Sequence, residues 1–286
     1  MLKHVYPCIL LLSVSAHSWA QSEPTQRVLE TEAKQLSDST IPTSSEPLVA
    51  PFKASYSVLH KSKKVGTAIR ELEKLANNTY RYNYSTDIEW LIFDDRRAEE
   101  SIVTIENNNV IPQHYKYTRE GTGRDKFYEW SYDIANNSGT NIKDKKTMSI
   151  EFPEYIQDSL SYHLQHRFNL IKNPEQKNFI YPVVKTSGDI REYAYEYDGA
   201  EELMLPYGLV KTIKLKREVT EKERVTYAWF APELNYLLVR LYQSKGGTEQ
   251  FEAQLTAVES DSDTNSDADN LKEIPKVIEP VTESVK

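Results

Sequence analysis

Cysteine is all but missing from this chain: Cys8 stands alone among 286 residues. It opens an apolar run near the start instead of following it, which is the wrong order for lipid attachment. Beyond that run nothing can form a disulfide or act as a thiol. Glycine is sparse, with nine residues, and none falls in G-x-x-x-x-G-K-[ST] or in G-x-G-x-x-G after a strand. Phosphate-cradling nucleotide loops are therefore excluded. There is no H-E-x-x-H and no G-x-S-x-G. No stretch after the first twenty residues nears the roughly 18 apolar residues of a spanning helix. The net charge of −8 comes mostly from the ends, since residues 51–257 hold 30 acids against 29 bases. That balance carries no nucleic-acid footprint.

What is present begins with an export signal. Lys3 and His4 give a basic start, Cys8 to Ala16 an apolar run broken by Ser13 and Ser15, and Ser18-Trp19-Ala20 a small-x-small site. Cleavage is expected between Ala20 and Gln21, leaving a periplasmic, non-lipidated protein in a Gram-negative envelope. Residues 21–50, rich in Ser, Thr and Pro, read as a disordered linker. Residues 258–286 read as a disordered acidic tail. Its Asp261, Asp263, Asp267 and Asp269 lack the glycine and closing glutamate of a calcium loop. One β-rich domain is expected between them, over 51–257.

Period-two alternation dominates that domain. Tyr80, Tyr82, Tyr84, Thr86, Ile88 and Trp90 alternate with Arg81, Asn83, Ser85, Asp87 and Glu89. Phe52 to Val58, Tyr128/Trp130/Tyr132, Tyr193/Tyr195/Tyr197 and Phe251 to Ala257 repeat the pattern, with turn signals such as Asn107-Asn108-Asn109 and Gly246-Gly247 between. Roughly ten to twelve one-sided strands joined by short turns predict a large antiparallel sheet that curls into a barrel or half-barrel. One segment breaks the pattern. Ile156, Leu160, Leu164, Phe168 and Ile171 predict an amphipathic helix at about 154–171, with Asp158, Gln165 and Arg167 off its apolar stripe, plugging or covering the open side of the sheet.

The folded part resembles the bacterial exported family known as domain of unknown function 3108. The resemblance rests on Phe52-Lys53-Ala54-Ser55-Tyr56, Gly66 with Ala68–Leu72, Glu100-Ser101, Val110-Ile111-Pro112 and Asp158-Ser159-Leu160-Ser161. It continues through Leu205-Pro206-Tyr207-Gly208, Trp229-Phe230-Ala231-Pro232-Glu233-Leu234 and Leu237–Arg240. The family often has proline where this chain has Leu238. The resemblance implies a fold and an exported address but no activity. At fold level the pattern is also similar to periplasmic lipoprotein carriers of the LolA and LolB type.

Four constellations invite chemistry. Ser159 and Ser161 beside Asp158, with His163 and His166 a turn on, would suit a hydrolase; the preferred reading makes Asp158 or Ser159 a helix cap and points the histidines to solvent or the sheet mouth. The same histidines at i and i+3 lack a further local metal ligand. Asp94-Asp95 and Glu99-Glu100 flank Arg96-Arg97 and read as an ion-paired turn, not a glycosidase pair. Tyr80, Tyr82, Tyr84, Tyr128, Trp130, Tyr132, Tyr193, Tyr195 and Tyr197 line either a packed core or a pocket for an apolar or glycan ligand. Asp158, Ser159, Pro206, Gly208, Trp229 and Pro232 read as fold markers, with Trp229 packed inward ahead of a corner at Ala231–Leu234. The expectation is a protein with no catalytic residue, cofactor or metal, binding or assembling an envelope component. That component is an apolar or lipid-like ligand, or a protein. The alternatives are a hydrolase built on the Asp158–His166 helix, and a module that docks a partner on an exposed strand edge, sought at the final strand.

Overall fold

A computed structural model describes residues 48–90 and 92–260. The expected leader with its Ala20–Gln21 site, most of the linker and the acidic tail from 261 onward lie outside the described residues. The first eight strands are β1 (Phe52–His60), β2 (Lys63–Ala76), β3 (Thr79–Trp90), β4 (Phe93–Glu106), β5 (Asn109–Gly121), β6 (Lys126–Asp133), β7 (Ser138–Asn141) and β8 (Lys146–Ser149). A helix, α1 (Ser161–Lys172), follows. The remaining strands are β9 (Asn178–Val184), β10 (Ile190–Leu205), β11 (Gly208–Val219), β12 (Arg224–Ala231), β13 (Leu237–Lys245) and β14 (Thr248–Ser260). All fourteen form one antiparallel sheet in the order β8-β7-β6-β5-β4-β3-β2-β1-β14-β13-β12-β11-β10-β9. Consecutive hairpins build both halves, and the first and last strands join them at the centre. Among the described residues the sheet does not close by a strand pair.

Alternation sets the faces. Tyr80 and Tyr82 are buried, while Arg81 between them meets Glu73 at 3.0 Å and Glu100 at 3.1 Å on the outer side. Gly66 sits opposite Ile88, where a Cβ would fall 2.1 Å from the Asp87 carbonyl oxygen, so only glycine lets β2 and β3 approach there. The curl brings the two edges of the sheet together. Trp130 of β6 donates to the Thr186 carbonyl beyond β9 at 3.1 Å. The Gln157 N–H donates to Pro182 O at 2.9 Å and Gln157 O accepts from Val184 N at 2.8 Å, so one residue ahead of α1 stitches the β9 edge.

The helix lies within the curl. It touches β5 through Gln165, whose Oε1 accepts from Val110 N at 2.7 Å. It reaches the β12–β13 turn through Arg167, which donates to Asn235 O at 2.7 Å and Leu234 O at 3.0 Å. His166 stacks on Phe179 of β9 and Phe230 of β12. Gln165 is buried and Arg167 half-buried, so both departures from the apolar stripe face polar backbone inside the curl.

Several expectations need correction. The helix starts at Ser161, not near 154, because Tyr155 takes a left-handed φ of 59° and residues 156–158 run extended against β9. The sheet has fourteen strands where ten to twelve were expected. Ser138-Gly139, of turn-forming composition, belongs to β7, and β9 hid its alternation by placing Ile180 outward and Pro182 in its run. The final strand is no edge, since β14 pairs with both β1 and β13.

The stretch from Leu205 to Leu241 runs through three hairpin turns, β10–β11, β11–β12 and β12–β13. Pro206-Tyr207 form the loop between Leu205 and its partner Gly208, whose φ is 135°. Pro232–Leu234 make a 3-10 turn at the expected corner. The β10–β11 register breaks between Tyr197 and Ala200, where Gly199 has φ 110°. Beyond that break the hairpin folds back, and Tyr207 N–H reaches Leu255 O of β14 at 3.1 Å. Trp229 is buried as expected, but on the face opposite its neighbours Ala228 and Phe230. There it donates to Glu201 at 2.7 Å and lies 4.5 Å beneath the Arg240 guanidinium.

Candidate functional site

Inside the curl two voids lie around Arg70, each of about 10 Å³, lined by Tyr56, Tyr82, Tyr84 and Leu238 among others. Such a volume admits at most one water. Arg70 donates to Tyr82 Oη at 3.1 Å and lies 4.9 Å over the Tyr84 ring. Tyr56 donates to Leu238 O at 2.8 Å. Near the start of α1, Asp158 accepts from Ser101 Oγ, from Leu160 N at 2.8 Å and from Ser161 N at 2.7 Å. Burial pushes its carboxyl above the usual range against those bonds, and burial raises Glu99, which accepts from Tyr115 Oη at 2.7 Å. Asp158 thus caps the helix and ties it to β4.

His166 does not face solvent, and His163 is half-buried. His166 is packed among Phe179, Phe230, Tyr181 and Tyr195, and burial pulls its imidazole down to about 3. His163 lies 3.9 Å from the Tyr162 ring, and burial lowers it strongly too. Among the described residues no hydrogen bond joins Ser159 or Ser161 to either imidazole. Instead Ser159 Oγ accepts from Lys185 Nζ at 3.4 Å. The Asp94–Glu100 run is strand, not turn, but is ion-paired: Arg96 holds Asp94, Arg97 and Arg119 hold Asp95, and Arg81 holds Glu100. The Arg97 hydrogen bond leads in holding Asp95 down to about 2.

A recess of about 900 Å³ opens where the β9–β10 and β11–β12 turns meet. Its lining includes Lys185, Asp189, Arg191, Tyr193, Arg217, Glu221, Lys222 and Arg224. Strand alternation sorts the charges. Arg191 and Tyr193 share a side of β10 with Tyr195, opposite the buried Val183 and Tyr181. Arg217 shares a side of β11 with Leu215, and Arg224 shares a side of β12 with Ala228 and Phe230. All three arginines therefore turn to the helix side of the sheet. Glu192 and Glu218 turn to the other, where Glu218 meets Lys216 at 2.8 Å. Arg217 lies 3.8 Å over the Tyr193 ring, and Lys185 donates to the Tyr193 hydroxyl. The back of Tyr193 meets Tyr162 of α1 edge-on at 5.1 Å.

Of the nine aromatic residues expected as core or pocket lining, Tyr193 alone borders this cleft. Tyr82 and Tyr84 border the single-water voids, and Tyr132 borders a shallow outer recess. Tyr80, Trp130 and Tyr195 are packed in the core. Tyr128 meets Tyr117 at 5.9 Å, and Tyr197 lies under Lys177 at 3.8 Å. Sequence reading missed the arginines. Their signal was the position of Arg191, Arg217 and Arg224 in phase with the inward residues of their strands, at the strand ends.

A curled antiparallel sheet that wraps one buried helix and carries a charged mouth defines a barrel-like β protein. Among the described residues no helix is long and apolar enough to cross a membrane. The chain belongs to the family described as protein of unknown function DUF3108, whose model matches residues 52–254. No curated protein matches it. In fold it is similar to the beta-barrel-like DUF1849 protein of Brucella abortus, with a TM-score of 0.51 and 10% identity over 74% of this chain and 98% of that one. Weaker likenesses are a presumed lipoprotein of Parabacteroides distasonis (TM-score 0.31, 10% identity, 75% of this chain, 98% of that one) and a presumed exported protein with a YmcC-like fold from Bacteroides fragilis (TM-score 0.31, 12% identity, 75% and 98%). The fold assignment rests on the first.

Proposed function

We propose that this protein is an exported, non-enzymatic binding module of the bacterial cell envelope, working in the periplasm and engaging its ligand at the mouth cleft. The observation that carries the reading is the contrast in space: about 10 Å³ in each void within the curl against about 900 Å³ at the mouth. Ligand sites generally need several hundred cubic ångströms. An apolar ligand held in the lumen, as in a lipid carrier, would have to displace α1, which is bonded to β4, β5 and the β12–β13 turn. The signal-peptide pattern of residues 1–20 supports the periplasmic address. Native mass spectrometry of protein recovered from the periplasm tests this. The expected result is a species without lumenal lipid, whose bound molecules are lost when cleft residues are changed. A stoichiometric lipid that survives those changes and leaves only on unfolding would sink the proposal.

One contact keeps a hydrolase in view, the 3.4 Å approach of Lys185 Nζ to Ser159 Oγ, since a lysine can serve as base for a serine nucleophile. Labelling by a fluorophosphonate at Ser159, abolished by Ser159→Ala, would establish that alternative.

A further inference from the structure

We infer that the mouth cleft recognises a ligand bearing two or more phosphate groups, held by Arg191, Arg217, Arg224 and Lys185. The inference rests on the binding-module reading and names its ligand class. These four cations form no ion pair within 4 Å among the described residues, whereas the outer-face lysines Lys214 and Lys216 are paired with Asp198, Glu201, Glu196 and Glu218. Three guanidiniums turned to one side of neighbouring strands suit the oxygens of phosphate, which planar forks engage in pairs. Four cations around about 900 Å³ exceed what one phosphate can span, hence at least two.

The carboxylates of the lining do not cancel this set. Glu218 is held by Lys216 on the outer face, and Asp189 accepts from Ser187 Oγ at 3.0 Å. Glu221 and Lys222 lie together on the 3-10 turn at the rim, and Glu192 points to the outer face. The Tyr193 ring lies 3.8 Å from the Arg217 guanidinium, a contact that spares that side chain part of the entropy of being ordered by a ligand.

The probes are pyrophosphate and inorganic phosphate, titrated calorimetrically into the mature chain at low salt, and sedimented vesicles of cardiolipin, whose headgroup carries two phosphates, against phosphatidylglycerol, which carries one. Pyrophosphate is expected to bind more tightly than phosphate. Arg191→Gln and Arg217→Gln are each expected to weaken it about tenfold. Arg191 is exposed, so its variant keeps the test valid if Arg217→Gln misfolds, and Arg96→Gln on the outer face of β4 serves as the unchanged control. Binding of pyrophosphate identifies a soluble phosphoanhydride or phosphoester ligand, and selective sedimentation with cardiolipin identifies a two-phosphate headgroup; either supports the inference, whereas equal sedimentation with both lipids and no pyrophosphate binding overturns it. No binding to pyrophosphate or to anionic vesicles, or wild-type affinity in the Arg191→Gln/Arg217→Gln double variant, overturns it. An uncharged molecule found in the cleft by mass spectrometry would overturn the phosphate class while leaving the binding-module reading standing.

Discussion

Protonation of His166 should be a principal route to acid unfolding. Its ring is stacked at 4.6 Å on Phe179 and 5.0 Å on Phe230, with Tyr181 and Tyr195 at 5.2 and 5.1 Å, and its Nε2 has no hydrogen-bond partner. Burial lowers its folded value from 6.5 to about 3. In the unfolded chain the imidazole takes a proton near pH 6.5, while in the folded chain it stays neutral until far lower. Protons therefore favour unfolding, and the contribution is complete above about pH 6.5 and lost as pH falls toward 3. A gap of roughly three and a half units at about 1.4 kcal/mol each sets the loss at about 4–5 kcal/mol across that window. His163, lowered by the same burial, adds to it. Glu99 and Asp158 act in the opposite sense, because burial raises them and their stability contribution is lost as pH rises through the folded values. The informative quantity is thus a difference between variant and wild type. Urea unfolding of the mature chain and of His166→Phe at pH 7.5, 6, 5 and 4 supplies it. Phe is slightly larger, so the variant starts about 1–3 kcal/mol lower at pH 7.5. Between pH 6 and 4 it should recover about 2–3 kcal/mol relative to wild type. His166→Leu, smaller than the ring it replaces, should show the same recovery. Parallel curves for wild type and both variants would refute the reasoning.

Two further substitutions probe the frame. Asp158→Ala leaves Leu160 N–H, Ser161 N–H and the Ser101 hydroxyl without their acceptor in a fully buried site, and should lower the unfolding free energy by about 3–5 kcal/mol. Asp158→Asn keeps an oxygen for the two amides and should cost less than about 2 kcal/mol by the same urea measurement, so equal losses would contradict the capping role. Trp229→Phe removes the bond to Glu201 and the larger ring beneath Arg240, at a cost of about 1–2 kcal/mol, whereas Trp229→Ala should cost about 3–5 kcal/mol and deplete folded protein in a thermal melt.

Much of the sheet was legible because its inward residues are large and its outward residues polar. Tyr80 and Tyr82 against Arg81 and Asn83 leave no second interpretation of β3. The same rule failed at β9, where an outward Ile180 and Pro182 concealed a true alternation. The helix was found but placed too early, since Ile156 fits its periodicity yet is buried beside the extended Gln157 at the sheet edge. Its histidines were misplaced because a helix enclosed on nearly every side does not reveal which positions meet solvent. The cleft was not legible at all as a site. Arg191 lies well away in sequence from Arg217 and Arg224, and only the register of three adjacent strands brings their sides into agreement.

The pairing of Phe52 with Ser260 puts the two ends of the sheet-forming chain side by side in its middle. A circular permutant with residues 260 and 52 joined by a short linker, and reopened between Asn173 and Lys177, would run β9 through β14 and then β1 through β8. In that chain every neighbouring pair of strands is consecutive, and the sheet becomes one uninterrupted meander. The natural connectivity differs from it by a single long-range ladder, so one β1–β14 zipping step bears most of the chain-closure entropy of this fold.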